Sequence, residues 1–202
     1  MRKRVKDYYY KRAKFEGYRS RAAYKLKQMN QKFNILNKGD IVVDLGAAPG
    51  GWIQVSREIV GEKGFIIGVD INPIRSFPWE NIKIIQADIT SPETIGKIRD
   101  LLPNGKANVV LSDAAPKISG AWDIDQANQI FIAENVLKIA IEVLDYNGIC
   151  VIKAFQGNLF RDFIEKVKKH FEKVRIFKPQ ASRKSSAEVY IIARGRISQH
   201  QK

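Results

Sequence analysis

Asp44-Leu45-Gly46-Ala47-Ala48-Pro49-Gly50-Gly51-Trp52 decides the fold. The stretch continues the apolar run Ile41–Leu45 and opens a helical pattern, so a buried strand turns through glycine and alanine directly into a helix. In an open α/β sheet, ligands bind at the carboxyl ends of the strands, where small residues let the backbone approach them closely. A nucleotide-like cofactor belongs at this turn. Gly46, Gly50 and Gly51 do not follow G-x-G-x-x-G, which disfavours a nicotinamide-dependent oxidoreductase.

Outward from the turn, apolar runs read as strands at Phe65–Val69, Ile82–Gln86, Val109–Leu111, Ile149–Ile152 and Val189–Ala193, with a weaker one at Val174–Phe177. Helical stretches separate most of them. The clearest runs from Asp123 to Leu144, with Ala127, Ile130, Phe131, Glu134, Leu137, Ile141 and Leu144 in a mostly apolar three-and-four spacing, and is expected to end at Asn147-Gly148. This alternation predicts an α/β, Rossmann-like, doubly wound and mostly parallel sheet of seven strands. No long helix separates the last two strands, so the final one is expected to pair antiparallel as a hairpin-like edge. Ahead of the sheet, Ser20 is a candidate cap for a helix through Ala22, Ala23, Leu26 and Met29 to about Phe33. Residues 1–34 thus read as a basic N-terminal helical extension of one domain spanning 1–202.

Charge gives an independent signal. The chain carries 35 Lys and Arg against 21 Asp and Glu, a net charge of +14, with a pI near 9.9, which points to a polyanionic partner. Residues 1–27 hold eleven basic residues against Asp7 and Glu16, and residues 165–202 hold eleven against Glu165, Glu172 and Glu188. The stretch between them is slightly acidic, as expected when phosphate-binding surfaces flank a small-molecule core. The single cysteine, Cys150, lies in an apolar run and reads as a buried small hydrophobe. Only His170 and His200 accompany it, so no Cys/His metal site is expected. No stretch approaches the ~20 apolar residues of a membrane span, and the chain reads as a soluble cytoplasmic protein.

Three further strand tips carry acids. Asp70 follows Gly68-Val69, twenty-four residues beyond Gly46, where a carboxylate can accept hydrogen bonds from both hydroxyls of a ribose. Asp88, in Gln86-Ala87-Asp88-Ile89, is placed to meet an adenine amino group, and Asp113 ends Leu111-Ser112-Asp113. Each alone also reads as a turn or capping residue. Lys153 follows directly on the apolar strand Ile149–Ile152; Lys25 lies on the N-terminal helix; Glu188 heads the last strand. Each also has a bland reading, Lys25 as a helix-surface charge, Lys153 as a residue in solvent at the strand's exit and Glu188 as an edge-strand solubiliser, and the sequence alone does not bring them together. A set of this kind, if it met, would suit transfer to a hydroxyl. Removing the hydroxyl's proton makes it a better nucleophile, an amine accepts that proton only when neutral, and carboxylates hold amine and substrate in line.

The stretch Asp44–Trp52 resembles motif I of the FtsJ/RrmJ (RlmE) family of RNA ribose 2′-O-methyltransferases, and the similarity extends over nearly the whole chain. The resemblance implies a sheet of the class I methyltransferase type and S-adenosyl-L-methionine as cofactor, lined by Gly50, Trp52, Asp70, Asp88 and Asp113. It also implies a Lys-Asp-Lys-Glu tetrad matching Lys25, Asp113, Lys153 and Glu188, with Lys153 as proton acceptor. The implied substrate is a uridine of large-subunit, 23S-type ribosomal RNA, in the 50S subunit or a precursor, met by a monomer. A tRNA ribose methyltransferase of the same superfamily shares these motifs, and the chain's short length favours the ribosomal branch. A non-catalytic RNA-binding assembly factor would keep the fold without needing the tetrad. Ala114 and Lys117 stand where bacterial members often have Met and Asn, although Pro116, Ser119 and Gly120 agree.

Two segments carry the expected RNA surface. Asp7 to Arg21 interleaves Tyr8, Tyr9, Tyr10, Phe15 and Tyr18 with Lys11, Arg12, Arg19 and Arg21, cations for phosphates and rings for unpaired bases. Near the other end, Lys178-Pro179-Gln180-Ala181-Ser182-Arg183-Lys184-Ser185-Ser186 is a basic, serine-rich loop that must border Glu188, with Arg183 and Lys184 the candidate contacts.

Overall fold

β-branched runs form strands where they are predicted. In the computed structural model, which describes residues 8–197, the strands are β1 (Ile41–Leu45), β2 (Phe65–Asp70), β3 (Ile82–Gln86), β4 (Ala107–Ser112), β5 (Leu144–Phe155), β6 (Phe171–Phe177) and β7 (Glu188–Arg196). They make one sheet in the order β3-β2-β1-β4-β5-β7-β6. All pairings are parallel except those of β7, which runs antiparallel to both β5 and β6. Arg2, Lys3, Arg4, Lys6 and Asp7 of the N-terminal stretch, with His200 and Lys202, lie outside the described residues.

Helices cover both faces: α1 (Tyr8–Phe15), α2 (Ala23–Phe33), α3 (Gly51–Val60), α4 (Glu93–Leu101), α5 (Trp122–Val143) and α6 (Phe160–Lys168). Val43, Leu45, Cys150 and Ile152 pack with α4, α5 and α6 on one side. Val42, Val151, Tyr190 and Ile192 pack with α2 and α3 on the other. Leu26 and Met29 are fully buried, and burying each such side chain contributes about 1.5–3 kcal/mol. That burial docks α2 on the sheet and fixes Lys25, which lies beside Leu26.

Four expectations need correction. The last strand is not an edge: β7 inserts between β5 and β6, pairing Phe155 with Glu188 on one side and Phe177 with Tyr190 on the other. The long helix does not end at Asn147-Gly148. It passes at Leu144 straight into β5, and the β4–β5 register jumps from Ala107–Leu144 to Val109–Ile149, with Asn147 at a φ of 66° in the looped-out residues between. Ser20 does not cap α2 through its side chain; the backbone carbonyl of Ser20 accepts from Ala23 N instead. Phe131, counted in the apolar stripe of α5, is 57% exposed. The buried stripe includes Gln126, Gln129, Ile130, Ala133 and Val136, which turns Phe131 towards the cleft at the strand tips.

Candidate active site

The turn after β1 is built by backbone geometry. Gly46 has a φ of 76°, and a side chain there would come within 2.6–3.0 Å of Ala114, mostly of its backbone, so only glycine lets the β1 and β4 loops touch. Gly46 N and Ala47 N both donate to Val69 O, and Ala48 N donates to Asp70 Oδ2 at 2.9 Å. Gly50 begins α3 at a φ of 109°, with Phe77 and the Arg19 side chain packed where a Cβ would stand.

A cavity of about 580 Å³ opens at the carboxyl ends of β1, β2, β3 and β4, bordered by Gly46, Asp70, Asp88, Asp113 and, from α5, Asn128 and Phe131. Three predicted acids therefore face one space. Asp70 Oδ1 also accepts from Asn72 N and Nδ2, and Asp88 Oδ1 accepts from Thr90 N and Oγ1 at 2.8 Å each. Each acid thus shapes its own turn as well as the cavity. Gly50 and Trp52, expected to line the cofactor site, do not border this cavity. Trp52 is buried between α2 and α3, where Nε1 donates to Ala22 O at 2.7 Å and the ring leans on Tyr190. Both residues act on the turn, Gly50 by its backbone angle and Trp52 by anchoring α2.

Beside the cavity the four tetrad positions meet. Lys153 Nζ donates to Asp113 Oδ1 at 2.9 Å and to Asp113 O at 2.5 Å. Lys25 Nζ lies 3.6 Å from Asp113 Oδ1 and 2.7 Å from Glu188 Oε1. Lys153 proves to lie within β5, two residues short of its end, because β5 stays paired with β7 as far as Phe155. Its burial there is compatible with charge because Asp113 answers it.

Two members of the cluster escaped sequence reasoning. Tyr190, fully buried, donates from its hydroxyl to Asp113 Oδ1 at 2.6 Å and accepts from Lys25 Nζ at 3.0 Å. Strand alternation carries the signal, since Tyr190 stands two residues after Glu188 and directly opposite Lys153. Gln129, also buried, donates from Nε2 to Ala114 O and Lys153 O, tying α5 to both loops; its mark is a polar side chain inside an apolar stripe.

Electrostatics follow from these contacts. Burial alone would raise the pKa of Asp113, but the charges of Lys153 and Lys25 and the hydrogen bonds from Tyr190 and Lys153 outweigh it and hold the carboxyl below its ordinary value. Burial, then Asp113 and Glu188, push the Tyr190 hydroxyl well up, so it stays a donor. Asp44, in β1 beneath the cavity, is 1% exposed and neither carboxylate oxygen has a hydrogen-bond partner among the described residues. Burial first, then Asp113 and Asp70, raise its pKa well above the ordinary range.

The two basic segments converge. The 178–186 loop docks on α1 and α2: Ala181 N donates to Gln28 Oε1, Arg21 donates to Ala181 O, and Ala181 packs with Ala13 and Tyr24. Arg21, Arg183, Ser185 and Ser186 border a second cavity of about 360 Å³ whose other wall is Lys25 and Glu188. Lys11 and Lys184 are exposed, and Arg12 pairs with Glu16 at 2.6 Å and lies over Tyr24. Arg19 is engaged elsewhere: it donates to Pro49 O, Arg75 O and Ser76 O and stacks on Phe77 at 3.6 Å, clasping the β1 turn to the loop after β2. Of the aromatic residues, Tyr9 packs against Tyr24, whereas Tyr8 and Phe15 are 66% and 92% exposed.

A sheet of this order, with its polar cavity at the strand tips, is an α/β methyltransferase. The chain belongs to the FtsJ-like methyltransferase family, whose model matches residues 18–196. It is 54% identical over 193 residues to the Ribosomal RNA large subunit methyltransferase E of Methanocaldococcus jannaschii, covering 95% of this chain and 79% of that one. With the protein of the same name from Methanothermobacter thermautotrophicus it shares 51% identity over 192 residues, 95% of this chain and 90% of the other. The crystal structure of a ribosomal RNA methyltransferase from Plasmodium falciparum superposes with a TM-score of 0.80 at 27% identity, over 90% of this chain and all of that one.

Proposed function

We propose that this protein methylates a ribose 2′-hydroxyl of a uridine in large-subunit, 23S-type ribosomal RNA, using S-adenosyl-L-methionine, and that it acts as a monomer in the cytoplasm. The observation that carries the reading is the direct linkage of Lys25, Asp113, Lys153 and Glu188 at the side of the strand-tip cavity. The names of the relatives support the ribosomal RNA as substrate class.

The residues present suit the cofactor. At about 580 Å³ the cavity falls in the range of small-molecule sites, roughly 300–1,000 Å³. Asp70 is positioned for ribose hydroxyls, and Asp88, whose Oδ1 is held by Thr90, has Oδ2 for an adenine amino group. Asp113 borders the end nearest the tetrad, and Gly50 and Trp52 hold the turn that forms the floor. Adenosylmethionine supplies a methyl carbon on a sulfonium centre, which departs as a neutral thioether.

Lys153 takes the hydroxyl's proton. In the neutral amine both N–H bonds are accepted by Asp113, at its carbonyl and at Oδ1, which leaves the lone pair aimed away from Asp113 for the substrate. The ammonium that forms is met at once by the Asp113 carboxylate. Lys25, bonded to Glu188 and Tyr190, keeps Asp113 ionised and in place and offers a cation to the ribose and its phosphates. Arg21 and Arg183 at the second cavity, with Lys11, Arg12 and Lys184 outside it, form the phosphate-facing surface.

The test is transfer of labelled methyl groups from adenosylmethionine to purified large ribosomal subunits and, separately, to unmodified tRNA. Label mapped to a 2′-O-methyluridine of the subunit is the expected result. Label confined to tRNA would keep the chemistry and overturn the substrate, and no label in either RNA would overturn the reading.

A further inference from the structure

The catalytic cluster is bordered on its α5 side by an apolar surface that the chemistry above does not use. Trp122, the first residue of α5, is 47% exposed, and its ring stacks on Phe155 with centroids 6.2 Å apart and planes 19° from parallel. Phe155 is the cross-strand partner of Glu188 and stands two residues after Lys153 in β5. Ile118 and Leu159, 64% and 42% exposed, belong to the loops on either side.

This surface is held rigidly. Asp125 accepts from Ser119 N and Oγ at 2.7 Å and from Gly120 N at 3.1 Å, closing the 119–125 segment onto itself. Gln126, one turn after Trp122, accepts from Leu159 N at 3.0 Å and packs so closely on Gly157 that a side chain there would overlap it. A large indole kept half in water by a braced loop is poor packing and good recognition.

The flanking charges decide what it recognises. The first turn of α5 carries Asp123 and Asp125, which set the helix N-terminus against phosphates. Lys117, next to Ile118, and Arg161, two residues after Leu159, are both exposed. A flat aromatic face whose own helical turn carries acids, with exposed cations next to its apolar neighbours in the chain, suits a nucleobase whose phosphates run past the edge. We propose that Trp122, backed by Phe155, is the stacking platform for an unpaired base next to the target nucleotide, an inference that rests on the RNA methyltransferase reading.

The experiment measures tryptophan quenching by oligouridylate, and KM and kcat on unmodified large-subunit RNA, for the full chain and for Trp122→Ala and Trp122→Phe. Base stacking on an aromatic side chain is typically worth about 5- to 150-fold in affinity. Trp122→Ala is expected to raise the oligouridylate Kd and the RNA KM by a factor in that range, with kcat and adenosylmethionine binding near those of the parent. Trp122→Phe should retain affinity and lose the quenching that Trp122 contributes. An unchanged Kd and KM in Trp122→Ala would overturn the platform, as would full quenching in Trp122→Phe. Absence of methyl transfer by the parent protein would instead overturn the enzymatic reading and leave the quenching result to judge the platform.

Discussion

Lys153 Nζ lies 2.5 Å from the carbonyl oxygen and 2.9 Å from Oδ1 of Asp113, so a single residue engages the amine through both backbone and side chain. Lys153→Ala removes the proposed proton acceptor, which is not itself assigned to the cofactor, and leaves Asp70 and Asp88 in place, although Asp113 loses two hydrogen bonds. Methyl transfer in single turnover is expected to fall by about 10²–10⁴-fold, with adenosylmethionine affinity by calorimetry unchanged. Lys153→Arg should not restore it, because a guanidinium does not give up its proton. Turnover retained in Lys153→Ala would remove Lys153 from the role.

Tyr190 connects the two lysines through Asp113. Tyr190→Phe takes one donor from a buried carboxylate and one acceptor from Lys25, at a cost of about 1–3 kcal/mol in urea unfolding. The pH dependence has a definite sign. Asp113 has a folded pKa below its ordinary value of about 4. Its stabilisation is therefore present above that value and lost as pH falls through the folded pKa. Weakening the depression should make the variant begin acid unfolding at higher pH than the parent, and identical acid transitions would argue against the hydrogen bond.

Asp44 behaves in the opposite sense. A buried carboxyl with a raised pKa contributes stability that is present below the ordinary aspartate value and lost as pH rises towards the folded pKa. Asp44→Asn keeps the shape and removes the titration. Its melting temperature should exceed the parent's at pH 8 and approach it near pH 4; a lower melting temperature at pH 8 would mean that the ionised form is used.

Arg183 and Lys184 lie exposed on the loop that borders the second cavity. If both meet phosphates, the slope of log Kd for RNA against log salt should shrink by about 0.7–0.9 for each residue replaced by alanine. The loss should be similar for unrelated RNA sequences, as phosphate contacts carry no base preference. An unchanged slope would move the RNA path away from this loop.

Much of this was legible in the chain. The strand runs follow from β-branched patterning, and the Gly46–Gly51 turn from small residues at a strand tip; the structure adds that a Cβ on Gly46 would meet Ala114 at 2.6–3.0 Å. The acids at the tips were visible because strands end where side chains meet the ligand edge. The place of β7 was not: a hairpin and an inserted strand have the same local sequence, and only packing against β5 chooses between them. Arg19 reads as a phosphate contact by composition, yet its three carbonyl partners lie thirty and more residues away, beyond local pattern. Tyr190 was hidden by its apolar neighbours, which made a hydroxyl-bearing residue look like core.

The reversed direction of β7 has a consequence for the order in which a new chain becomes competent. Because β7 runs against β5, its first residues, Glu188 and Tyr190, reach the same rim as Lys153 near the end of β5. The side chains bordering the strand-tip cavity are all supplied by Ile132. During synthesis the chamber is therefore encoded well before the residues that complete the tetrad, and a chain interrupted before its last strand holds the chamber's lining but lacks Glu188 and Tyr190, two of the three side chains that Lys25 engages.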